Sequence, residues 1–554
     1  MKKLFCALCV LCGFHSALAL DRNAFKFSNY DLKIRVTPGA QSLEAEGKVT
    51  IRNDTTQPQR NPVLQISSTL QWHSITFGGK AVQYLAETYT SDIDHTGALS
   101  EAVISLQQPI PPQGTMDLEV AYGGKVQLDT SRLMRIGVPA TTAANSDWDQ
   151  ISESFTAVRG IGYVAWYPIA TDAASLSEGS QVFQTANSWK MRESRSVMRI
   201  SLCQVGGDGQ LINRRNMEYD RLSAIVPSFV LGDFKTLKQP SSTIQYGIGH
   251  ESDARRWAAA GEKVAPFVAQ WFGQRKRPVN IVELPDRNMH PFEAGDVFFT
   301  PLGSGDEKDI QVVMAHQLAH ASFQSPRLWM DEGLAHFAQA LEREQQDGRK
   351  AALTYMDERL VPLQQAEKQF VSIKQSDSAP QGQPLVSATD EVFFRTKAMF
   401  VWWMLRDIAG DDALGRAIRL YRADQDKEPS YFQRLLAHEF HRDLEWFFDD
   451  WVYRDRGLPQ FRVIAVYPRK LIPQDWSVTV TVENSGRAGA EVPVVVRAAQ
   501  GEERKRLELH AREKGVVRIP IPATPQQAIV NDGSVPEFDM SNNVADIKTS
   551  ESAQ

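Results

Sequence analysis

From Tyr30 the chain alternates. Leu32, Ile34 and Val36 are apolar against charged Lys33 and Arg35, and after Pro38-Gly39 the positions Leu43, Ala45, Gly47, Val49 and Ile51 resume the same period of two. That period sends successive side chains to opposite faces, so these segments predict half-buried antiparallel strands. Turn signals at Asn53-Asp54, Gly78-Gly79, Pro111-Pro112 and Gly123-Gly124 separate similar segments up to about residue 240, which predicts a large all-β sandwich. Helical periodicity then takes over. Ser252-Asp253 marks a helix start before Ala254 to Phe272, Val279 to Leu284 reads as a strand, and a series of helices follows from about Lys308 to Arg454. Within that series the Ser/Gln/Pro/Gly-rich stretch Ser376 to Pro384 reads as a surface loop. After Gly457-Leu458-Pro459 the period returns to two, with Val478, Val480 and Val482 against Thr479 and Thr481, predicting a terminal β-sandwich of Ig-like size.

A chain of 554 residues with 42% hydrophobic and 9% aromatic content is globular and too long for one core. The expected fold class is multidomain α+β: a signal peptide over 1–19, an N-terminal all-β sandwich over 20–242, a mainly helical domain over 243–464, and a C-terminal Ig-like β-sandwich over 465–554. The signal rests on Lys2 and Lys3, the apolar run Leu4 to Phe14, and Ala17-Leu18-Ala19 as a small-x-small cleavage site. Cys6, Cys9 and Cys12 lie inside it and none follows a lipobox, so cleavage near Leu20 leaves Cys203 as the only thiol. A single cysteine makes no internal disulfide, which fits a periplasmic or secreted protein of a Gram-negative cell. No second apolar run of about 18 residues occurs, so no membrane span is expected. The net charge is −6 with both signs interspersed, which argues against nucleic acid as a partner; Arg275-Lys276-Arg277 reads as a solvated loop face.

The chemistry is concentrated in Val313-Met-Ala-His316-Gln-Leu-Ala-His320. On a helix, positions i and i+4 share a face, so His316 and His320 can offer two imidazoles to one metal. Trp329-Met-Asp-Glu332-Gly-Leu-Ala-His336 supplies a third ligand if a helix from near Met330 folds back antiparallel and brings Glu332 beside the pair. His/His/Glu with an open fourth position is a catalytic-type Zn²⁺ shell. Gln317 stands where H-E-x-x-H carries its general base, and an amide cannot hold the proton taken from zinc-bound water. Asp331 reads as a supporting carboxylate or a helix cap. His336 reads as a packing or surface residue.

These motifs, in this order, resemble the membrane alanyl aminopeptidase family of gluzincins, and the resemblance covers nearly the whole chain after the signal. It is carried by a β-sandwich, a strand ending Glu283-Leu-Pro285, the H-x-x-x-H and W-x-x-E-G helices, a helical bundle and a terminal β domain. Tyr30-Asp-Leu, Trp166-Tyr-Pro, Phe229-Val-Leu-Gly-Asp-Phe234, Leu444-Glu-Trp-Phe-Phe-Asp-Asp-Trp451 and Gly457-Leu-Pro support it. The resemblance implies a thermolysin-like central domain and a zinc peptidase site.

Three departures qualify it. The connector between His320 and Glu332 is shorter than in typical members. The family's G-A-M-E-N segment, whose glutamate holds a substrate amine, is replaced by Asn288-Met-His-Pro-Phe-Glu293-Ala-Gly295, so Glu293 is a candidate substrate-binding residue or an ordinary solvated carboxylate. In the helix that carries Tyr-x-Lys-Gly-Ala, this chain reads Phe394-Arg-Thr-Lys-Ala-Met-Phe400. The oxyanion tyrosine therefore falls on Phe394 if aligned on Ala398-Met399, or on Arg395 if aligned on Lys397. A lost base costs about two to four decades in rate and a lost oxyanion donor about two to three more. The expected function is a zinc-binding, hydrolysis-impaired scaffold that holds a peptide or protein segment. The alternative is an active metallopeptidase with an unusual base such as Asp390 or Glu391.

Overall fold

Hydrophobic alternation in the first third of the chain is realised as a seven-stranded sheet. Its order is β11 (Leu211–Tyr219), β10 (Val197–Val205), β1 (Phe25–Thr37), β2 (Ser42–Asn53), β8 (Thr115–Lys125), β4 (Leu70–Phe77) and β5 (Lys80–Ala81). A three-stranded sheet, β3 (Val63–Ser67), β7 (Ala98–Ser105) and β6 (Gln83–Thr90), accompanies it, with a two-stranded pair of β12 (Phe229–Leu231) and β9 (Thr156–Val158). The computed structural model describes residues 20–206, 210–219, 222, 226–275, 277–303, 305–373, 383–472 and 475–549. The signal expected over 1–19, Lys276, and most of the loop expected from Ser376 to Pro384 lie outside the described residues.

Leu32, Ile34, Val36, Val49 and Ile51 are all buried, as their alternation demands. The expectation of a purely antiparallel, all-β unit is corrected in two respects. β10 runs parallel to β1, with Tyr30 opposite Met198, and three helices are inserted: α1 (Ser131–Arg135), α2 (Ala140–Ser146) and α3 (Gln181–Arg192). Parallel neighbours need a long crossover rather than a tight turn, and the chain between β8 and β10 provides one that contains these helices.

The middle of the chain is a five-stranded mixed sheet with helices. β13 (Lys235–Lys238), β14 (Ser242–Tyr246), β15 (Val279–Glu283), β17 (Val297–Thr300) and β16 (Phe292–Ala294) lie in that order, so β16 is an edge strand. The helices are α4 (Glu251–Phe272), α5 (Glu307–Ser322), α6 (Leu328–Asp347), α7 (Arg349–Asp357), α8 (Leu360–Ile373), α9 (Ala398–Ala409), α10 (Asp411–Leu420), α11 (Tyr431–Phe440) and α12 (Glu445–Phe448). π-Helical turns at Val392–Lys397 and Asp449–Tyr453 precede α9 and follow α12. The chain is thus α+β, with a β-rich N-terminal region and a helical middle. Among the described residues no helix is long and apolar enough to cross a membrane.

The last region stacks β18 (Phe461–Ile472), β19 (Asp475–Asn484) and β22 (Lys514–Ile521) against β21 (Gly501–Leu509), β20 (Ala490–Ala498), β23 (Pro525–Val530) and β24 (Val544–Asp546). Its valines share one continuous core with the helical region, while the N-terminal sheets bury a core of their own.

A buried carboxylate ties this last region together. Glu537 accepts hydrogen bonds from the Phe461 amide (2.9 Å) and from the side chains of Asn531 (2.6 Å) and Asn543. Burial raises its pKa from 4.5 to about 7 against the pull of those donors. The folded state therefore holds a proton that the unfolded chain releases. The resulting stability is complete below about pH 4.5 and is lost as the pH climbs through 7, by a few kcal/mol at order of magnitude. Scanning calorimetry of wild type should show the melting midpoint falling between pH 5 and 8, and Glu537→Gln should flatten that fall. An identical slope in the two proteins would remove Glu537 as its cause.

Candidate metal centre

α5 opens on an N-cap: the Asp306 carboxylate accepts from the Lys308 amide at 3.1 Å, and Glu307 and Asp309 complement the helix dipole. From Ile310 to Ala321 nearly every side chain of the helix is buried, so its polar residues need partners inside the protein. Only Phe323 to Arg327 separate α5 from α6, which forces the two helices into an antiparallel hairpin. The Asp331 carboxylate accepts from the Ser325 amide at 2.9 Å and pins that turn. One residue on, Glu332 faces α5. Gly333 lets the next helical layer approach: a Cβ there would lie 2.6 Å from that of Ala398 and 3.0 Å from the Trp402 indole nitrogen.

This geometry brings four donors together. The Nε2 atoms of His316 and His320 are 3.2 Å apart, and Glu332 Oε1 lies 3.9 Å from His320 Nε2. Glu293 Oε2, on edge strand β16, lies 2.8 Å from His316 Nε2. Ligand atoms from all four residues fall within 4.8 Å of one another. His316, His320 and Glu332 are buried and Glu293 is partly so. Two imidazoles and carboxylates on rigid elements suit Zn²⁺. On the same two helices His316 Nδ1, Asp331 Oδ2 and Gln317 Oε1 are buried without a hydrogen-bond partner, though none of them is one of the four donor atoms.

The electrostatics agree. Burial alone would lower the pKa of His320, yet the facing carboxylates of Asp331 (3.6 Å from Nδ1), Glu332 and Glu293 outweigh it and raise the value to about 9. Burial would raise the Glu293 carboxyl, but His316, Arg395 and His320 hold it well below the usual carboxylate range. A cation bound here replaces the imidazole protons as the partner of these carboxylates. His336 lies one turn beyond Glu332 with its ring 4.9 Å from that of His316, and burial followed by the His316 charge keeps it neutral.

Of the residues expected at the site, Gln317 is present and engaged: its amide nitrogen donates to Glu293 Oε2 at 2.9 Å. Phe394 offers no polar atom to the cluster. Its ring is packed in the core, and its neighbour Arg395 reaches in, with Nε donating to Glu332 Oε2 (3.1 Å), Nη2 to Glu293 Oε1 (3.2 Å) and Nη1 to Glu391 Oε2 (3.3 Å). Both Phe394 and Arg395 lie in the π-helical turn over Val392–Lys397, and of the two it is Arg395 whose side chain bonds to the cluster carboxylates. Asp390 is committed elsewhere. Its Oδ2 accepts from Ser180 (2.8 Å) and Gln184 (3.0 Å) on the N-terminal side, and its Oδ1 caps Val392. Lys190 on α3 was not legible from the sequence; burial lowers its pKa, with Glu332 and Glu391 opposing and Arg395 adding to the fall. Only its i+9 spacing from the start of α3 was available as a signal, and that says nothing about its partner. A cavity of about 1040 Å³ at the C-terminal end of α5, lined by Tyr219, Asp296, Phe323 and Tyr421 among others, includes none of the four donors.

No family model and no curated protein matches this chain. Among solved structures, the M1 zinc metallopeptidase of Deinococcus radiodurans is similar, at 15% identity and a TM-score of 0.47 over 79% of this chain and 96% of that one. A mutant of that enzyme gives 16% and 0.46, and the mutant bound to a Tyr-ser-ala substrate gives 15% and 0.46, both with the same coverage.

Proposed function

We propose that this chain is a zinc-binding, aminopeptidase-like scaffold that holds a peptide or protein segment and hydrolyses peptide bonds poorly. The observation that carries this reading is the Gln317 amide, which occupies the base position beside His316 and donates a hydrogen bond to Glu293. Zn²⁺ held there would polarise a carbonyl or acidify a water only through a coordination position that the protein leaves open. His316, His320 and Glu332 would hold the ion, Asp331 would orient His320, and Arg395 would fix the second oxygen of Glu332. Gln317 donates but cannot accept a proton. The positions at which the family supplies a phenol are a core phenylalanine and an arginine already shared among three carboxylates.

An extended segment is supported as the ligand by the edge position of β16, the strand that carries Glu293, since an edge strand can take an added strand. The signal-like residues 1–19 support export to the periplasm or beyond.

Zinc-loaded protein incubated with a mixed peptide library and followed by mass spectrometry should show turnover at least about two decades below the roughly 10 s⁻¹ median of enzymes. Cleavage at ordinary peptidase rates would overturn the impaired reading and favour an active enzyme with a displaced base. Asp390 would not be that base, given its partners, and Glu391 is paired with Arg395.

A further inference from the structure

We propose that Glu293 is a fourth metal ligand that closes the shell, and that Gln317 is the donor that keeps it there. This inference rests on the zinc-scaffold reading and deepens it. In a tetrahedral zinc site with bonds of about 2.0–2.2 Å, neighbouring ligand atoms stand about 3.3–3.6 Å apart. The His316–His320 Nε2 separation of 3.2 Å is close to that size, Glu293 Oε2 lies in hydrogen-bond contact 2.8 Å from His316 Nε2, and Glu332 Oε1 is 3.9 Å from His320 Nε2, so shifts of about half an ångström bring all four donors to the edges of one tetrahedron. A carboxylate acting on metal-bound water stands one hydrogen bond, about 2.6–3.2 Å, beyond that water and therefore farther from the imidazoles. Glu293 occupies the place of the water rather than the place of the base.

The surroundings hold it there. Glu293 pairs with Phe298 in the β16–β17 ladder, and its neighbour Phe292 points the other way, 5.2 Å from the Tyr163 ring and 5.4 Å beneath the Arg159 guanidinium. The carbonyl of His290 accepts from the Trp148 indole at 3.1 Å, so the N-terminal region clamps the segment. On the side-chain end, Gln317 donates to Oε2 and Arg395 to Oε1. A glutamate at 317 would set a second carboxylate 2.9 Å from the first, and like charges at that distance cannot both stay ionised. Glutamine is the residue that allows Glu293 to remain. The loss of the base and the gain of a ligand are then one change: two histidines and two glutamates make a closed, structural-type shell with no position for water.

The test uses the full chain with cobalt(II) in place of zinc. Oxygen-17 water should show no line broadening from metal-bound solvent in wild type. Glu293→Ala should produce broadening and weaken zinc in a chelator competition by at least the roughly 10- to 100-fold that loss of a supporting partner costs. Glu293→Gln serves as the second variant, since it preserves shape, and should weaken zinc in the same direction. Gln317→Glu alone should not create turnover, whereas Gln317→Glu with Glu293→Ala should. Broadening already present in wild type, or unchanged zinc affinity in both Glu293 variants, overturns the closed shell while leaving the scaffold reading intact. Absence of stoichiometric metal binding removes both.

Discussion

His316→Ala is expected to leave the purified protein without stoichiometric zinc, where wild type carries one ion per chain. The residue supplies a donor 3.2 Å from His320 Nε2 and 2.8 Å from Glu293 Oε2, so its removal unbalances two other ligands as well as deleting one. Supporting partners alone are worth about 10- to 100-fold in metal affinity, so a direct ligand should cost more. Because the ion binds the folded state and has no preformed site in the unfolded chain, wild type should also melt lower in the presence of a chelator. The variant should not respond to chelator. His336→Gln, at a ring 4.9 Å from His316 but outside the donor set, is the control for packing damage and should retain zinc. Metal analysis showing equal zinc in wild type and His316→Ala would remove the site.

The second large effect is structural. Lys397 ends the π-helical turn that carries Arg395, and its ammonium is enclosed with the carboxylates of Glu367 on α8 and Asp455 after the Asp449–Tyr453 turn, all three fully buried. The rings of Trp451 (5.5 Å) and Phe393 (5.8 Å) complete its surroundings. Burial lifts the Asp455 carboxyl to about 7, with Lys397 opposing and Glu367 adding to the rise, so one ammonium is shared by two carboxylates. Removing the cation from such a cluster leaves buried charge uncompensated, which costs about 3 to 5 kcal/mol. Lys397→Met should therefore lower the denaturation midpoint of the helical region sharply. Adding Glu367→Gln and Asp455→Asn should recover much of the loss, since neutral groups need no counter-ion; Asp455 sits at φ 50°, where asparagine is tolerated. A single variant within about 1 kcal/mol of wild type, in chemical denaturation, would show that the cluster does not hold these elements together.

How much of this was legible follows from how local each signal is. The β1–β2 hairpin is marked by Pro38-Gly39 and by alternation on both sides, and the structure pairs Tyr30 with Val49 and Leu32 with Gly47. The helix expected from Ala254 to Phe272, with Ser252-Asp253 as its start, ends at Phe272 before Gly273 as expected but begins three residues earlier, at Glu251, with His250 as an N-cap whose side chain makes no capping bond. The parallel partner of β1 was not legible: Val197 to Val205 shows no feature that selects β1 rather than another strand, and a partner so distant in sequence is chosen by the shared core.

The sequence by itself determined the parts of the site that one helix, or two helices joined by a tight turn, can determine. His316 and His320 share a face because the α-helix repeats every 3.6 residues, and Glu332 returns to them because Phe323 to Arg327 leave no room for another path. Only the tertiary structure decided which side chains complete that trio. Glu293 arrives on a strand from a different layer, clamped by aromatic contacts with the N-terminal region. Arg395, rather than Phe394, bonds to Glu332 and Glu293 from the π-helical turn over Val392–Lys397. Motif spacing encodes neighbours along a single element, whereas the fourth donor and its clamp depend on how separate elements pack, and packing is set by the whole core rather than by any one segment.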